Sequence, residues 1–152
     1  MKEMFESLNL QSFPKTSGSK GLQVFVPLNT ATTYDRTKDF ARALAERLER
    51  EHPNFVVSRM QKALRKGKVL IDWSQNDEHK TTITVYSLRA KSRPTVSTPV
   101  TWKEVEITVK KAEAQLLVFD SRAALRRVEK HGDLFDPVLR LKQRLPKLET
   151  FA

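Results

Sequence analysis

Lys66-Gly67-Lys68-Val69-Leu70-Ile71-Asp72-Trp73-Ser74-Gln75-Asn76 is the stretch on which the reading of this chain turns. Val69, Leu70 and Ile71 form an apolar, partly β-branched run, and Asp72 interrupts it before Trp73. That pattern predicts a strand with a carboxylate at its end. On one side, residues 59–68 hold Arg59, Lys62, Arg65, Lys66 and Lys68 and no acid. On the other, residues 80–93 hold Lys80, Arg89, Lys91 and Arg93, again without an acid. One such run is explained by a solvated surface. Two runs around one strand-end carboxylate fit a site where a metal-binding or phosphate-binding acid stands among cations.

Outward from this stretch, the chain alternates short strands and helices. Met4 to Leu8 reads as the end of a helix, and residues 13–21 as a loop rich in small residues. Leu22, Val24, Val26 and Leu28 alternate as in a strand, with Phe25 out of phase. The spacing of Phe40, Ala41, Leu44, Ala45 and Leu48 predicts an amphipathic helix over residues 36–51, capped by Asp35 and ended by Pro53. Residues 55–58 read as a short strand, 59–66 as a basic helix or turn, and the β-branched residues 81–88 as a strand. Pro94 and Pro99 require an extended or looped segment. Thr101-Trp102-Lys103-Glu104 has the form of a capping box. Residues 121–131 predict a helix with Ala124, Leu125 and Val128 inward and Gly132 as stop. Residues 134–148 alternate apolar and basic side chains and read as a docked, partly helical extension reaching over 134–152. The fold class these elements predict is α+β, a mixed or antiparallel sheet with flanking helices.

Composition narrows the chemistry. The 152 residues suit one domain. Twenty-eight Lys and Arg against 18 Asp and Glu give a net charge of +10. That charge points to a polyanionic partner, nucleic acid first. No segment pairs a strongly basic face with a bulky apolar one, and no apolar run approaches the about 20 residues of a membrane span, so a membrane partner is not expected. With no cysteine, disulfides, thiolate catalysis and Cys-ligated zinc are excluded, and His52, His79 and His131 are too scattered for a metal set. Met1 to Leu10 lacks the features of a signal peptide, so the expected setting is the cytoplasm. Thr16-Ser17-Gly18-Ser19-Lys20-Gly21 combines small hydroxyl residues, glycine and a lysine, the chemistry of a phosphate cradle, although it is not a P-loop.

Four strings taken together are more specific. Phe13-Pro14-Lys15-Thr16-Ser17-Gly18-Ser19-Lys20-Gly21-Leu22, the Lys66 to Asn76 stretch, Tyr86-Ser87-Leu88-Arg89-Ala90 and Pro94-Thr95-Val96-Ser97-Thr98-Pro99 resemble the polymerase domain of bacterial ATP-dependent DNA ligase D. Glu129-Lys130-His131-Gly132-Asp133-Leu134-Phe135 resembles the end of that domain. The likeness covers nearly the whole chain, least well over residues 103–120. It implies the archaeo-eukaryotic primase-polymerase fold and nucleotide addition to DNA ends in non-homologous end joining. It also implies work at the bacterial nucleoid, beside the end-binding protein Ku and a ligase module. The implied chemistry is two-metal nucleotidyl transfer with Mn²⁺ or Mg²⁺ on three aspartates. By resemblance Asp72 is the third of these, both catalytic and metal-binding. Ser17 and Lys20 match the triphosphate loop; Arg65 and Arg89 match basic residues near the phosphates; Gln75 has a polar role in the site.

Two departures stand out. The family usually has His where this chain has Gln23; glutamine still donates a hydrogen bond but carries no charge. The family's D-x-D metal pair lies upstream of the Ser-Gly loop, where this chain has only Glu3 and Glu6. Glu104-x-Glu106 has similar spacing downstream and reads as surface charge. The expectation is therefore the carboxy-terminal part of such a domain, inactive alone because one carboxylate does not hold two divalent ions. Its partners would be DNA ends, nucleoside triphosphates and a missing amino-terminal fragment. Phe25, Val69, Ile71 and Trp73 would then be less buried than in a full domain. The alternatives are a non-catalytic DNA- or nucleotide-binding module and a gene remnant.

Overall fold

The computed structural model describes residues 1–147; the last part of the expected extension, residues 148–152, lies outside the described residues. The chain folds as two units. The first comprises Met1, residues 30–82 and residues 144–147, the second residues 2–29 and 83–143.

The first unit is built on α2 (Tyr34–Glu51). Its apolar stripe recurs every three or four residues, so Phe40, Leu44, Ala45 and Leu48 all fall on the buried face. The cap is Thr33, not Asp35: Thr33 is extended, and its Oγ1 accepts from the Arg36 amide. Asp35 sits instead in the first turn, where a negative charge complements the helix dipole. After the helix, β3 (Val56–Val57) pairs in parallel with β4 (Val69–Leu70). Between them, residues Lys62–Arg65 form a 3₁₀ turn. The expected strand over 69–73 stops at Leu70. Trp73 turns away into a second 3₁₀ turn, Trp73–Gln75, where its indole Nε1 donates to Ser58 O at 2.9 Å and Arg42 stacks over its ring at 5.3 Å.

The second unit begins with α1 (Lys2–Ser7), which buries Met4 and Phe5. Two strands, β1 (Phe13–Thr16) and β2 (Leu22–Phe25), form an antiparallel hairpin with Lys15 opposite Gln23. Another antiparallel pair joins β5 (Leu88–Arg89) to β6 (Thr95–Val96). The chain just beyond β6 passes to β1: Thr16 N donates to Thr98 O at 2.9 Å and Val100 N to Pro14 O at 3.0 Å. One extended segment, 95–100, thus serves both hairpins. Its residues Val96, Ser97, Thr98 and Val100 are all buried. Residues 81–84 form no strand, contrary to their β-branched composition. That composition favours a pleated surface but supplies no pairing partner. Tyr86, with φ at +63°, interrupts the extended run before β5.

Three further helices follow. α3 (Trp102–Lys111) carries the expected capping box between Thr101 and Glu104 and ends on Ala112 in the left-handed conformation. α4 (Ser121–His131) buries Ala124, but Leu125 is 64% exposed. Arg127 takes the inward place expected of Leu125 and Val128, lying over the Phe119 ring at 4.7 Å and donating to Pro99 O at 3.1 Å. Its guanidinium pairs with Glu104, Nη2 to Oε2 at 3.0 Å, so Glu104 is a half-buried, paired carboxylate, while Glu106 is exposed as expected of surface charge. α5 (Asp136–Arg140) is followed by Gln143, whose amide donates to Gln11 O and Pro27 O. Phe25 and Phe135 meet edge to face at 5.0 Å.

The whole is α+β with parallel and antiparallel pairs, as the sequence predicts. The strands are short: the first unit has one parallel pair and the second two antiparallel pairs linked through the segment 95–100. Val69 is 68% exposed, while Phe25, Ile71 and Trp73 are half-buried.

Candidate nucleotide-binding site

The expected site residues divide between the two units. Asp72, Arg65 and Gln75 belong to the first; Ser17, Lys20, Gln23 and Arg89 belong to the second.

In the first unit Asp72 stands exposed at the head of the Trp73–Gln75 turn. Its Oδ1 accepts from Ser74 Oγ at 2.6 Å and its Oδ2 from Gln75 Nε2 at 3.1 Å. Lys80 Nζ donates to Ser74 Oγ at 2.6 Å. Partial burial pushes the Asp72 carboxyl up. The Ser74 and Gln75 hydrogen bonds and the Lys80 charge more than offset this and hold it below the usual carboxylate range. Gln75 thus has the polar role expected of it, as a donor to Asp72. Arg65 is turned into its own loop: its Nη2 donates to Met60 O, and its Nε is buried without a hydrogen-bond partner among the described residues.

An ionised carboxylate in such a turn fits one ligand position of a divalent ion. Among the described residues no group of three or more His, Asp or Glu side chains gathers that could hold a metal. The residues present therefore do not fit a two-ion centre by themselves. An open groove of about 370 Å³ in the same unit is lined by Thr33, Asp35, Lys38, Asn76, Asp77 and His79, among others. Its charges are mixed, and Lys38 is paired with Asp77 at 2.6 Å.

The second unit gathers the other four residues around the β1–β2 turn. Ser17 closes this turn on itself. Its Oγ accepts from the amides of Ser19 (3.2 Å) and Gly21 (3.1 Å), and its own amide donates to Gly21 O at 2.8 Å. Two of the N–H groups expected to cradle a phosphate are therefore turned inward, and the Ser17 hydroxyl proton remains as a donor. Gly18, at φ +65°, is pressed against Arg89: a Cβ there would meet Arg89 Cγ at 2.7 Å and the Val96–Ser97 backbone at 3.0 Å. Only glycine lets the turn lie this close to β5 and β6. Thr95 Oγ1 donates to Gly18 O and pins it there. The Arg89 and Lys20 side chains make no hydrogen bond or ion pair among the described residues, so both cations remain available to an anion.

Lys15, which the sequence reading passed over, lies behind this turn. It is 1% exposed. Its Nζ donates to Gln23 Oε1 at 2.6 Å, Ser97 Oγ at 2.7 Å and Ile83 O at 2.8 Å. The Phe25 ring lies 5.6 Å away. All three acceptors are neutral. Burial, with a smaller contribution from the Arg89 charge, lowers the ammonium pKa to about 8. No sequence signal marks this lysine. Its burial depends on Ile83 and Ser97, far along the chain.

Comparison with known proteins places the chain in a family. The family described as the LigD primase-polymerase domain matches residues 1–135. The multifunctional non-homologous end joining protein LigD of Mycolicibacterium smegmatis is 41% identical over 91% of this chain. The bifunctional non-homologous end joining protein LigD of Bacillus subtilis is 32% identical over 87%. These matches span 17% and 21% of the relatives' own lengths. The polymerase domain of Mycobacterium tuberculosis ligase D, solved in complex with DNA, superposes with a TM-score of 0.83 at 37% identity. That match covers 93% of this chain and 47% of that one. By sequence and by fold, the chain belongs to the LigD primase-polymerase domain family.

Proposed function

We propose that this chain binds nucleoside triphosphates and DNA as part of the nucleotidyl-transfer apparatus that fills and extends DNA ends in non-homologous end joining. The observation that carries this reading is the convergence of Ser17, Gln23 and Arg89 on one turn of the second unit, with Lys20 exposed at its tip. A triphosphate is a concentrated anion. The Arg89 guanidinium offers it a planar fork of donors, and Lys20 a mobile point charge. The Ser17 hydroxyl and the Gln23 amide nitrogen add neutral donors that fix orientation. The net charge of +10 supports binding to the DNA backbone. In this reading Asp72, with Gln75 as its hydrogen-bond donor, would offer one carboxylate to a divalent ion that neutralises the triphosphate, and Arg65 of the same unit would be a phosphate-binding cation. Ku and a ligase module are the partners the family context supports.

Equilibrium binding of a fluorescent ribonucleoside triphosphate tests the proposal. Arg89→Ala is expected to weaken binding about tenfold or more, the scale of a charge-assisted hydrogen bond. Unchanged affinity would overturn the assignment. DNA binding through about six phosphate contacts should weaken about a thousandfold between 50 and 200 mM salt.

A second reading, a binding module without catalysis of its own, is favoured by the Asp72 geometry, since both carboxylate oxygens already accept hydrogen bonds from their own loop. Incubation with Mn²⁺, a gapped DNA and ribonucleotides separates the two. Template-dependent extension by this chain alone, lost in Asp72→Ala, would exclude the second reading.

A further inference from the structure

We propose that Lys15 is a positioning residue for the phosphate site: its ammonium grips the Gln23 carbonyl oxygen and so presents the Gln23 amide nitrogen as a fixed donor to the nucleotide. The inference rests on the phosphate-binding reading of Gln23 and Arg89.

An ammonium has three N–H donors and no acceptor. Gln23 therefore has one way to face it, carbonyl inward, and the 2.6 Å contact is to Oε1. The amide nitrogen is left pointing elsewhere, and among the described residues it makes no hydrogen bond. The other two N–H groups are matched as closely, to Ser97 Oγ and Ile83 O. Ser97 is itself committed, since its hydroxyl donates to Thr16 O at 2.8 Å. Charged Lys15 thus satisfies every group around it. Arg89 is the charged group that acts on it, and the remaining neighbours are Gln23, Ser97, Ile83 O and the Phe25 ring.

Loss of the proton breaks this match. A neutral amine has two donors and a lone pair, so one of the three acceptors faces a lone pair. Ile83 O has no proton to give, and Ser97 would have to abandon Thr16. Gln23 relieves the conflict by turning its amide over and donating to the amine. Its carbonyl then faces the incoming phosphate and repels it. The buried ammonium titrates near pH 8, so the change falls within an accessible range. A bound triphosphate would favour the charged form and the donor orientation together. At the position of a usual histidine, this arrangement gives a neutral amide a pH-dependent response of its own.

The test is the affinity for adenosine triphosphate, without added metal, between pH 7.5 and 9.5, above the ionisation of its terminal phosphate. Wild type, Arg89→Ala, Lys15→Gln and Gln23→Leu are compared, with folding checked by circular dichroism. Wild-type affinity is expected to fall about tenfold as pH rises through 8. Lys15→Gln, which does not titrate, should show a flat profile. Gln23→Leu leaves Lys15 in place and should also flatten the profile, so the test survives if Lys15→Gln does not fold. If wild type binds, Arg89→Ala weakens binding, and the Gln23→Leu profile still falls through pH 8, the positioning role is overturned and the phosphate site stands. If wild type does not bind and Arg89→Ala changes nothing, the phosphate site itself fails, and this inference with it.

Discussion

Asp72, in the first unit, takes its hydrogen bonds from Ser74 and Gln75, two and three residues along the chain; Lys15, in the second, donates to Ile83 and Ser97, 68 and 82 residues away. The carboxylate is exposed and the ammonium buried. An exposed charge held by its own loop depends little on the rest of the fold. A buried one exists only when distant segments have met, and its partners cannot be replaced by water. The first unit therefore carries a charge that is easy to place and cheap to disturb. The second carries one whose disturbance reaches the whole unit.

The largest expected effect probes the buried side. Ser97 is fully buried, accepts from Lys15 and donates to Thr16 O. Ser97→Ala strands a donor on Lys15 and the Thr16 carbonyl at once, and should cost about 3 kcal/mol in urea denaturation. A cost near that of an exposed serine would erase the contrast.

A pH series sharpens it. The folded pKa of Lys15, about 8, lies below its ordinary 10.5. Between these values the unfolded chain holds a proton that the folded chain has released, so stability from this group rises with pH. Below pH 8 both states are protonated and the gain is gone. From pH 7.5 to 9.5 wild type should gain about 2 kcal/mol relative to Lys15→Gln. A constant difference would mean that the ammonium is not strained by its burial.

Glu104 gives a third, smaller effect in the second unit, on a carboxylate with partners both near and far. It accepts from the Thr101 amide at 2.8 Å, closing the cap of α3, and from Arg127. Glu104→Ala should cost about 2 kcal/mol by thermal melting. Burial raises its pKa, while the Arg127 and Thr101 bonds lower it further, to a net value below the ordinary 4.5. Its contribution is thus complete above pH 4.5 and lost as pH falls through the folded pKa. The gap between wild type and Glu104→Ala should narrow in that acidic range.

The same division between local and distant contacts explains what the amino-acid sequence discloses. The stripe of α2 and the capping box at Thr101 are written in residues a few positions apart, and both stand as read. The Asp72 turn is just as local, yet the apolar residues before it read as a strand reaching Trp73. Residues 81–84 lack a strand because pairing needs a partner that composition does not name. Arg127 displaces Leu125 from the inner face of α4 because Glu104 and Phe119 wait there, from other elements. The loop 17–21 looked open to a phosphate, yet Ser17 Oγ draws two of its amides inward. Lys15 was invisible for the same reason. Nothing within the FPKT strand foretells Ser97 or Ile83.

The smallest expected effect returns to Asp72. Ser74 is the nearest of its donors, at 2.6 Å, and Lys80 Nζ reaches the pair through the same hydroxyl. Ser74→Ala removes one hydrogen bond from the carboxylate and the link to Lys80. Water can enter at this exposed turn and replace both, so global stability should change by less than about 0.5 kcal/mol. The carboxyl group itself should still respond. With the Ser74 hydroxyl bond gone, burial is opposed by Gln75, the Ser74 backbone amide and a less constrained Lys80, and the Asp72 pKa should rise toward its ordinary 3.8. Titration of the side-chain carboxyl carbon by NMR reads this directly. A raised pKa with unchanged melting is the signature of a charge held locally. An equal loss of stability would show that the Asp72 turn, like the Lys15 cluster, is bound into the fold around it.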